Sequence, residues 1–244
     1  MKKHRWLIRP SQMGKLMKSG RKKDELFGKT ALDCIKENVL LHKYAIEPEH
    51  VETKQMEKGT FNESKNIDIA SRVLGWKNVK GSDEKIRLAN DYLIGEPDVN
   101  TDTLLADIKS SWSANSFPFF DNPNNPDYIA QLQCYMELTG HKQAELVYVL
   151  SNNPEHITQN EIERLTHYYS KRPHLFNAEG IEDLWSMAEM KATEIVHKQA
   201  HVEHIPEETR VKRFIIKRDE EFIENMKNRV IEARIIFDKL YALV

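Results

Sequence analysis

Gly95-Glu96-Pro97-Asp98 and, a few residues on, Asp107-Ile108-Lys109 decide how this chain is read. Tyr92-Leu93-Ile94 runs into Pro97-Asp98-Val99, Asn100-Thr101-Asp102 makes a polar turn, and Leu104-Leu105-Ala106 leads into Asp107-Ile108-Lys109, which together read as a β-hairpin. Side chains alternate along a strand, so Asp107 and Lys109 share one face while Ile108 points into the other layer. Asp98, on the neighbouring strand, reaches the same place. An isolated D-x-K is most often a surface ion pair. Here the apolar run before it implies a buried strand, where charge is unexpected unless paired or bound to metal. Pro97 is consistent with a strand edge or bulge. Two carboxylates and an ammonium beside a sheet can hold a divalent cation and a water, which is equipment for hydrolysing a phosphodiester.

Two helices add to this group. Asp127 to Gly140 has an apolar face in Ile129, Leu132, Met136 and Leu138, and Gly140 stops it. Gln131 and Tyr135 stand four apart and project from one side of that helix. Upstream, Gly59-Thr60-Phe61-Asn62-Glu63 lies in a helical stretch read from about Glu49 to Leu74.

In this order, G-x-x-x-E, P-D, D-x-K and Q-x-x-x-Y resemble the PD-(D/E)XK nuclease superfamily. The Q-x-x-x-Y element points to the branch of RecB-type nuclease domains, phage lambda exonuclease and YqaJ-like viral recombinases. The likeness covers residues 5 to 155 well and the remainder loosely. It implies an α/β fold with a restriction-endonuclease-like core, a central mixed β-sheet flanked by helices, and a helical C-terminal extension. Residues 1–155 would be the nuclease core with N-terminal basic helices, and 156–244 an extension packed on the same domain.

The resemblance also implies roles. Asp98, Asp107 (Asp where many members have Glu), Glu63 and the Ile108 carbonyl match metal ligands, for Mg²⁺ with Mn²⁺ able to substitute. Hard oxygen donors of this kind suit those ions better than zinc. Lys109 matches the lysine that orients or activates the attacking water and stabilises charge. Gln131 and Tyr135 match the pair that supports the lysine and contacts the DNA backbone. Trp6-Leu7-Ile8-Arg9-Pro10-Ser11-Gln12 resembles the entry motif of viral exonucleases, in which a Ser helps receive the terminal phosphate. Gln12 stands where an Arg is expected, and Arg9 is the nearby cation able to replace it. The implied activity is a metal-dependent exonuclease on linear double-stranded DNA, 5′→3′, leaving a single strand for phage-type recombination. The implied partners are DNA ends, a single-strand annealing protein and further copies of the chain. An endo-acting or structure-specific nuclease and a non-catalytic DNA-binding module are the alternatives.

Composition sets the frame. The 244 residues suffice for one large domain, and 40% hydrophobic with 30% charged residues is a globular balance. No apolar run approaches the ~20 residues needed to cross a bilayer, and no apolar segment follows the basic start as in a secretory signal. Cys34 and Cys134 have no close partners, which suits a reducing cytoplasm, whether of a bacterium or of a phage-infected host cell, and leaves no four-cysteine cluster of the kind some relatives carry. His201 and His204 lack a third ligand and read as a polar helix face. The net charge of −2 hides its distribution: Lys2, Lys3, Arg5, Arg9, Lys15, Lys18, Arg21, Lys22 and Lys23 precede the first acid, Asp24. Arg210, Lys212, Arg213, Lys217 and Arg218 form a second basic group. Such groups bind phosphates without regard to sequence.

Further helices are expected over 11–23, Ala31 to His42, Asn160 to Ser170, Ile181 to His201 and Arg218 to Leu243. A short strand is expected at Trp76 to Val79, a buried strand at Ala144 to Leu150, and an edge strand at Arg213 to Ile216, in a sheet of four or five strands. Ser111 to Asn125 reads as a loop whose Trp112, Phe117, Phe119 and Phe120 pack or stack on DNA ends.

Overall fold

The computed structural model describes residues 6–22, 25–49, 53–77, 79, 86–121 and 125–244. The N-terminal half contains α1 (Pro10–Leu16), α2 (Lys29–Tyr44), α3 (Lys54–Leu74), β1 (Leu88–Ala89), β2 (Ile94–Gly95), β3 (Val99–Asn100) and β4 (Leu105–Ser111). Then come α4 (Pro126–Thr139), β5 (Gln143–Leu150), α5 (Glu155–Ser170), α6 (Ile181–Ala200), β6 (Val211–Lys217) and α7 (Glu220–Leu243).

The helix ends follow local chemistry. Thr53 accepts the Met56 N–H through its hydroxyl, which fixes the start of α3 at Lys54 rather than near Glu49. Asn125 accepts the Asp127 N–H and Pro126 fills the first position of α4. Gly75 and Gly140 end α3 and α4 at φ 69° and 81°, a backbone region that favours glycine. α1 is shorter than its sequence pattern, stopping at Leu16; the chain then turns back, with Gly28 N–H donating to the Lys18 carbonyl and Gly20 N–H to that of Glu25.

The sheet runs β3-β4-β5-β6 and is mixed. β4 and β5 are parallel, with Asp107 opposite Leu146 and Lys109 opposite Tyr148, while the outer pairs are antiparallel. α4 is the crossover that a parallel pair requires. On one face Leu105, Leu146, Tyr148 and Leu150 pack with Leu132, Tyr135 and Met136 of α4. On the other, Val147, Val149 and Ile108 meet Ile69 and Ala70 of α3. A neighbouring core joins Trp6, Met13, Ile35 and Val39 to Met226, Val230, Ala233 and Phe237 of α7. The fourth strand and α7 therefore both come from beyond residue 155.

Two expectations are corrected. The hairpin survives only as β3–β4: Ile94–Gly95 pairs back with Leu88–Ala89 instead of continuing into Val99. Pro97 has no N–H to give a ladder, so the chain breaks there. No strand forms at Trp76, Lys77 or Val79; Trp76 instead donates its indole N–H to Glu145 at 3.2 Å. The expected edge strand is present and spans Val211–Lys217.

Candidate active site

β3 is far shorter than β4, so past Ala106 the outer edge of β4 has no strand beside it. Asp98 fills the first gap. Its Oδ2 accepts the Ile108 N–H at 2.8 Å, standing in for a ladder bond. A strand residue sends its N–H and C=O to the same side, so the Ile108 carbonyl opens onto that edge too. A cavity of about 390 Å³ lies here, lined by Asp98, Asp107, Ile108, Lys109, Tyr128 and Gln131 and, from α3, by Glu63 and Asn66.

The charged groups form one network. Asp107 is only 1% exposed, and its Oδ2 lies 2.6 Å from the Lys109 ammonium. Lys109 also donates to Gln131 Oε1 at 3.2 Å, and Gln131 Nε2 donates to Asp107 Oδ1 at 3.1 Å. Gln131 thus bridges both members of the ion pair and fixes which way its own amide faces. Nε2 also lies 3.4 Å from the Tyr135 hydroxyl, which donates to the Glu96 carbonyl at 3.1 Å. Lys109 sits 4.5 Å over the Tyr128 ring. Burial pulls the Lys109 pKa down, but the charge and hydrogen bond of Asp107, with Asp98 and Tyr128, outweigh it and hold the ammonium above its ordinary value.

Asp98, Asp107, Lys109, Gln131 and Tyr135 therefore meet in one place. Glu63 stands half-buried on the opposite wall, on α3. Tyr135 is 6% exposed, and its hydroxyl stands within reach of Gln131 Nε2, where it braces the Gln131 amide. Gly95 permits this packing: a Cβ there would meet Pro10 at 2.7 Å and the Tyr135 ring at 3.2 Å. Arg9 and Ser11 flank Pro10, exposed, and line no part of the cavity.

Among the described residues no three His, Cys, Asp or Glu side chains form a ready metal cage. Two buried-edge carboxylates, an outward backbone carbonyl and a cavity large enough for waters nonetheless fit Mg²⁺. That ion keeps much of its water and binds through one or two carboxylates plus substrate phosphates.

Four of the five cations in the second basic group pair within the chain. Arg210 donates to the Ile205 and Leu150 carbonyls, Lys212 to that of Phe119, Arg213 pairs with Glu145, and Arg218 with Glu137 and Glu220. In the first group, Lys2, Lys3, Arg5 and Lys23 lie outside the described residues. Arg9, Lys15, Arg21 and Lys22 are exposed. Trp6 is buried and stacks on Phe237 at 4.9 Å. Of the loop aromatics Phe117 is buried, Phe119 packs edge-on against it at 4.6 Å, and Phe120 is 96% exposed.

Sequence reasoning missed Tyr128 and Asn66. Each sits three residues from a singled-out side chain, Gln131 and Glu63, so helical spacing alone would have placed them on the same wall.

No family model matches the chain, and no curated protein matches it. Solved structures do. A phage-related exonuclease from Haemophilus somnus 129PT superposes with a TM-score of 0.70 at 23% identity, over 98% of this chain and 96% of that one. The chain has an exonuclease fold. An alkaline exonuclease, LHK-Exo, from Laribacter hongkongensis gives 0.59 at 14% identity, over 97% and 90% of the two chains. LHK-Exo in complex with dAMP gives 0.57 at 13% identity over the same shares. The match runs through the C-terminal region as well as the residues that carry the motifs.

Proposed function

We propose that the protein is a divalent-metal-dependent DNA exonuclease that degrades linear duplex DNA from its ends. The observation that carries this is the convergence of Asp98, Asp107, Lys109 and Gln131 on one open cavity beside an unpaired strand edge. The shared fold supports it, as does the complex of LHK-Exo with dAMP, since a mononucleotide is what an exonuclease releases.

Asp98, Asp107 and the Ile108 carbonyl would hold Mg²⁺, which would polarise the phosphate and acidify a water. Lys109, held beside Asp107 at 2.6 Å, would orient the attacking water and place positive charge where the phosphate oxygens gain charge. Gln131 fixes the direction of that ammonium and of the Asp107 carboxylate. Glu63, on the α3 wall of the cavity, would help hold the metal or a water bound to it. The exposed cations near α1 would grip the backbone without reading sequence. The 5′→3′ polarity, a recombination role with an annealing protein, and assembly into homo-oligomers belong to this proposal through the resemblance to lambda exonuclease. Among the described residues no helix is long and apolar enough to cross a membrane.

The test uses linear duplex DNA labelled at one 5′ end beside a covalently closed circle, in Mg²⁺ with and without EDTA. Loss of the linear DNA alone, with early release of the 5′ label and none in EDTA, is expected. Nicking of the circle would replace the proposal with an endonuclease. Binding without cleavage in Mg²⁺ or Mn²⁺ would replace it with a non-catalytic module.

A further inference from the structure

α3 turns one face to the cavity, and its side chains there recur by single turns: Gln55 and Met56, Gly59 and Thr60, Glu63, then Asn66. Asn66 is 1% exposed. Neither its Oδ1 nor its Nδ2 has a hydrogen-bond partner among the described residues. Asn62, on the same helix and also buried, shows the ordinary solution: its Nδ2 donates to Ser151 Oγ at 3.1 Å and to the Asn152 carbonyl at 2.8 Å. A buried amide without partners costs stability that an apolar side chain of the same volume would not. Its neighbour Ile67 packs on Val99 and Ala106, the residues that follow Asp98 and precede Asp107. Asn66 therefore lies over the start of β3 and β4, at the inner end of the cavity.

We propose that Asn66 is a binding residue of the metal centre, its two amide atoms left for a hydrated cation and for the substrate phosphate. Oδ1 accepts a hydrogen bond from a water in the hydration shell of a divalent cation held at Asp98 and Asp107. Nδ2 donates to an oxygen of the phosphate. This rests on the metal-dependent nuclease reading. An acceptor of this kind is what a small, strongly hydrated cation needs, because it keeps several waters that must themselves be satisfied. Loss of such an outer partner typically weakens metal binding by ~10–100-fold.

The test is Mn²⁺ binding to the metal-free protein, by titration calorimetry, for the wild type, D107N, N66L and N66D, together with thermal unfolding of each in EDTA. D107N should lose Mn²⁺ binding. N66L should bind Mn²⁺ about 10–100-fold more weakly, with unchanged or higher thermal stability in EDTA. N66D should bind Mn²⁺ more tightly than the wild type. Wild-type Mn²⁺ affinity in N66L overturns the inference, and a fall in its stability in EDTA would then mark Asn66 as structural. If N66L does not fold, unchanged affinity in N66D overturns it equally. If the wild type binds no Mn²⁺ and D107N makes no difference, the metal-nuclease reading itself fails, which is a separate outcome.

Discussion

Tyr135 shows how one hydroxyl sets the geometry of a charged site that it does not touch. It donates to the Glu96 carbonyl and lies within reach of Gln131 Nε2, and Gln131 in turn holds Asp107 and Lys109. Tyr135→Phe removes both bonds and leaves the ring packing intact. The bond to Gln131 is the one that bears on the site, and a hydrogen bond of this kind is worth about 0.5–1.5 kcal/mol, so kcat should fall about twofold to tenfold with KM for DNA little changed. A raised KM at unchanged kcat would show instead that Tyr135 meets the DNA. At this scale the sequence was informative where spacing is strict. D-x-K fixes two side chains on one face of a strand, and Q-x-x-x-Y fixes two on one face of a helix. Tyr128 and Asn66 share helix faces with Gln131 and Glu63, but spacing does not say what singles them out: a lysine over a ring and an amide without partners.

Lys58 ties the elements together. Its side chain is 1% exposed and its ammonium donates to the carbonyls of Ser111, Trp112 and Ser151, which lie at or just past the ends of β4 and β5. α3 is thereby bolted to the two central strands, and the wall bearing Glu63 and Asn66 is held at a set distance from Asp107. Burial, with Lys65 adding a smaller push, lowers the Lys58 pKa to about 7. The folded state then binds fewer protons at this group than the unfolded chain, so its contribution rises with pH between about 7 and the ordinary lysine value of about 10.5. Urea unfolding of the wild type and Lys58→Met across pH 6.5–10 should show the wild type gaining stability relative to the variant as pH rises. A difference that is flat or shrinks with pH contradicts this account. Element boundaries were legible where a cap or a positive-φ glycine announced them, as at Gly75 and Gly140. The hairpin's first strand was misread because Tyr92-Leu93-Ile94 has a strand's composition but pairs elsewhere: Ile8 bridges Leu93, and Ile94 joins Ala89. The bridge to Ile8 depends on a residue far away in sequence.

For the whole molecule, the pattern of charge in sequence predicted less than the pattern of motifs. Four of the five cations between Arg210 and Arg218 hold carbonyls or carboxylates of the chain itself, so they give DNA little. A basic cluster on a line of sequence does not say whether its partners are internal, whereas the two apolar strands and the helix between them were readable from their patterns, and the mixed order of the sheet from the resemblance. The C-terminal region proved harder, since β6 joins the sheet through pairing with β5 across α5 and α6. The central claim, that this assembly exists to hydrolyse DNA at the Asp107–Lys109 cluster, is tested most directly by Lys109→Ala. Cleavage of linear duplex DNA in Mg²⁺ would be measured for both proteins at saturating DNA, with DNA binding checked beside it. The account predicts that the variant binds DNA and cuts it about 10²–10³-fold more slowly, the loss expected for a charge-stabilising donor. Turnover near that of the wild type would contradict it.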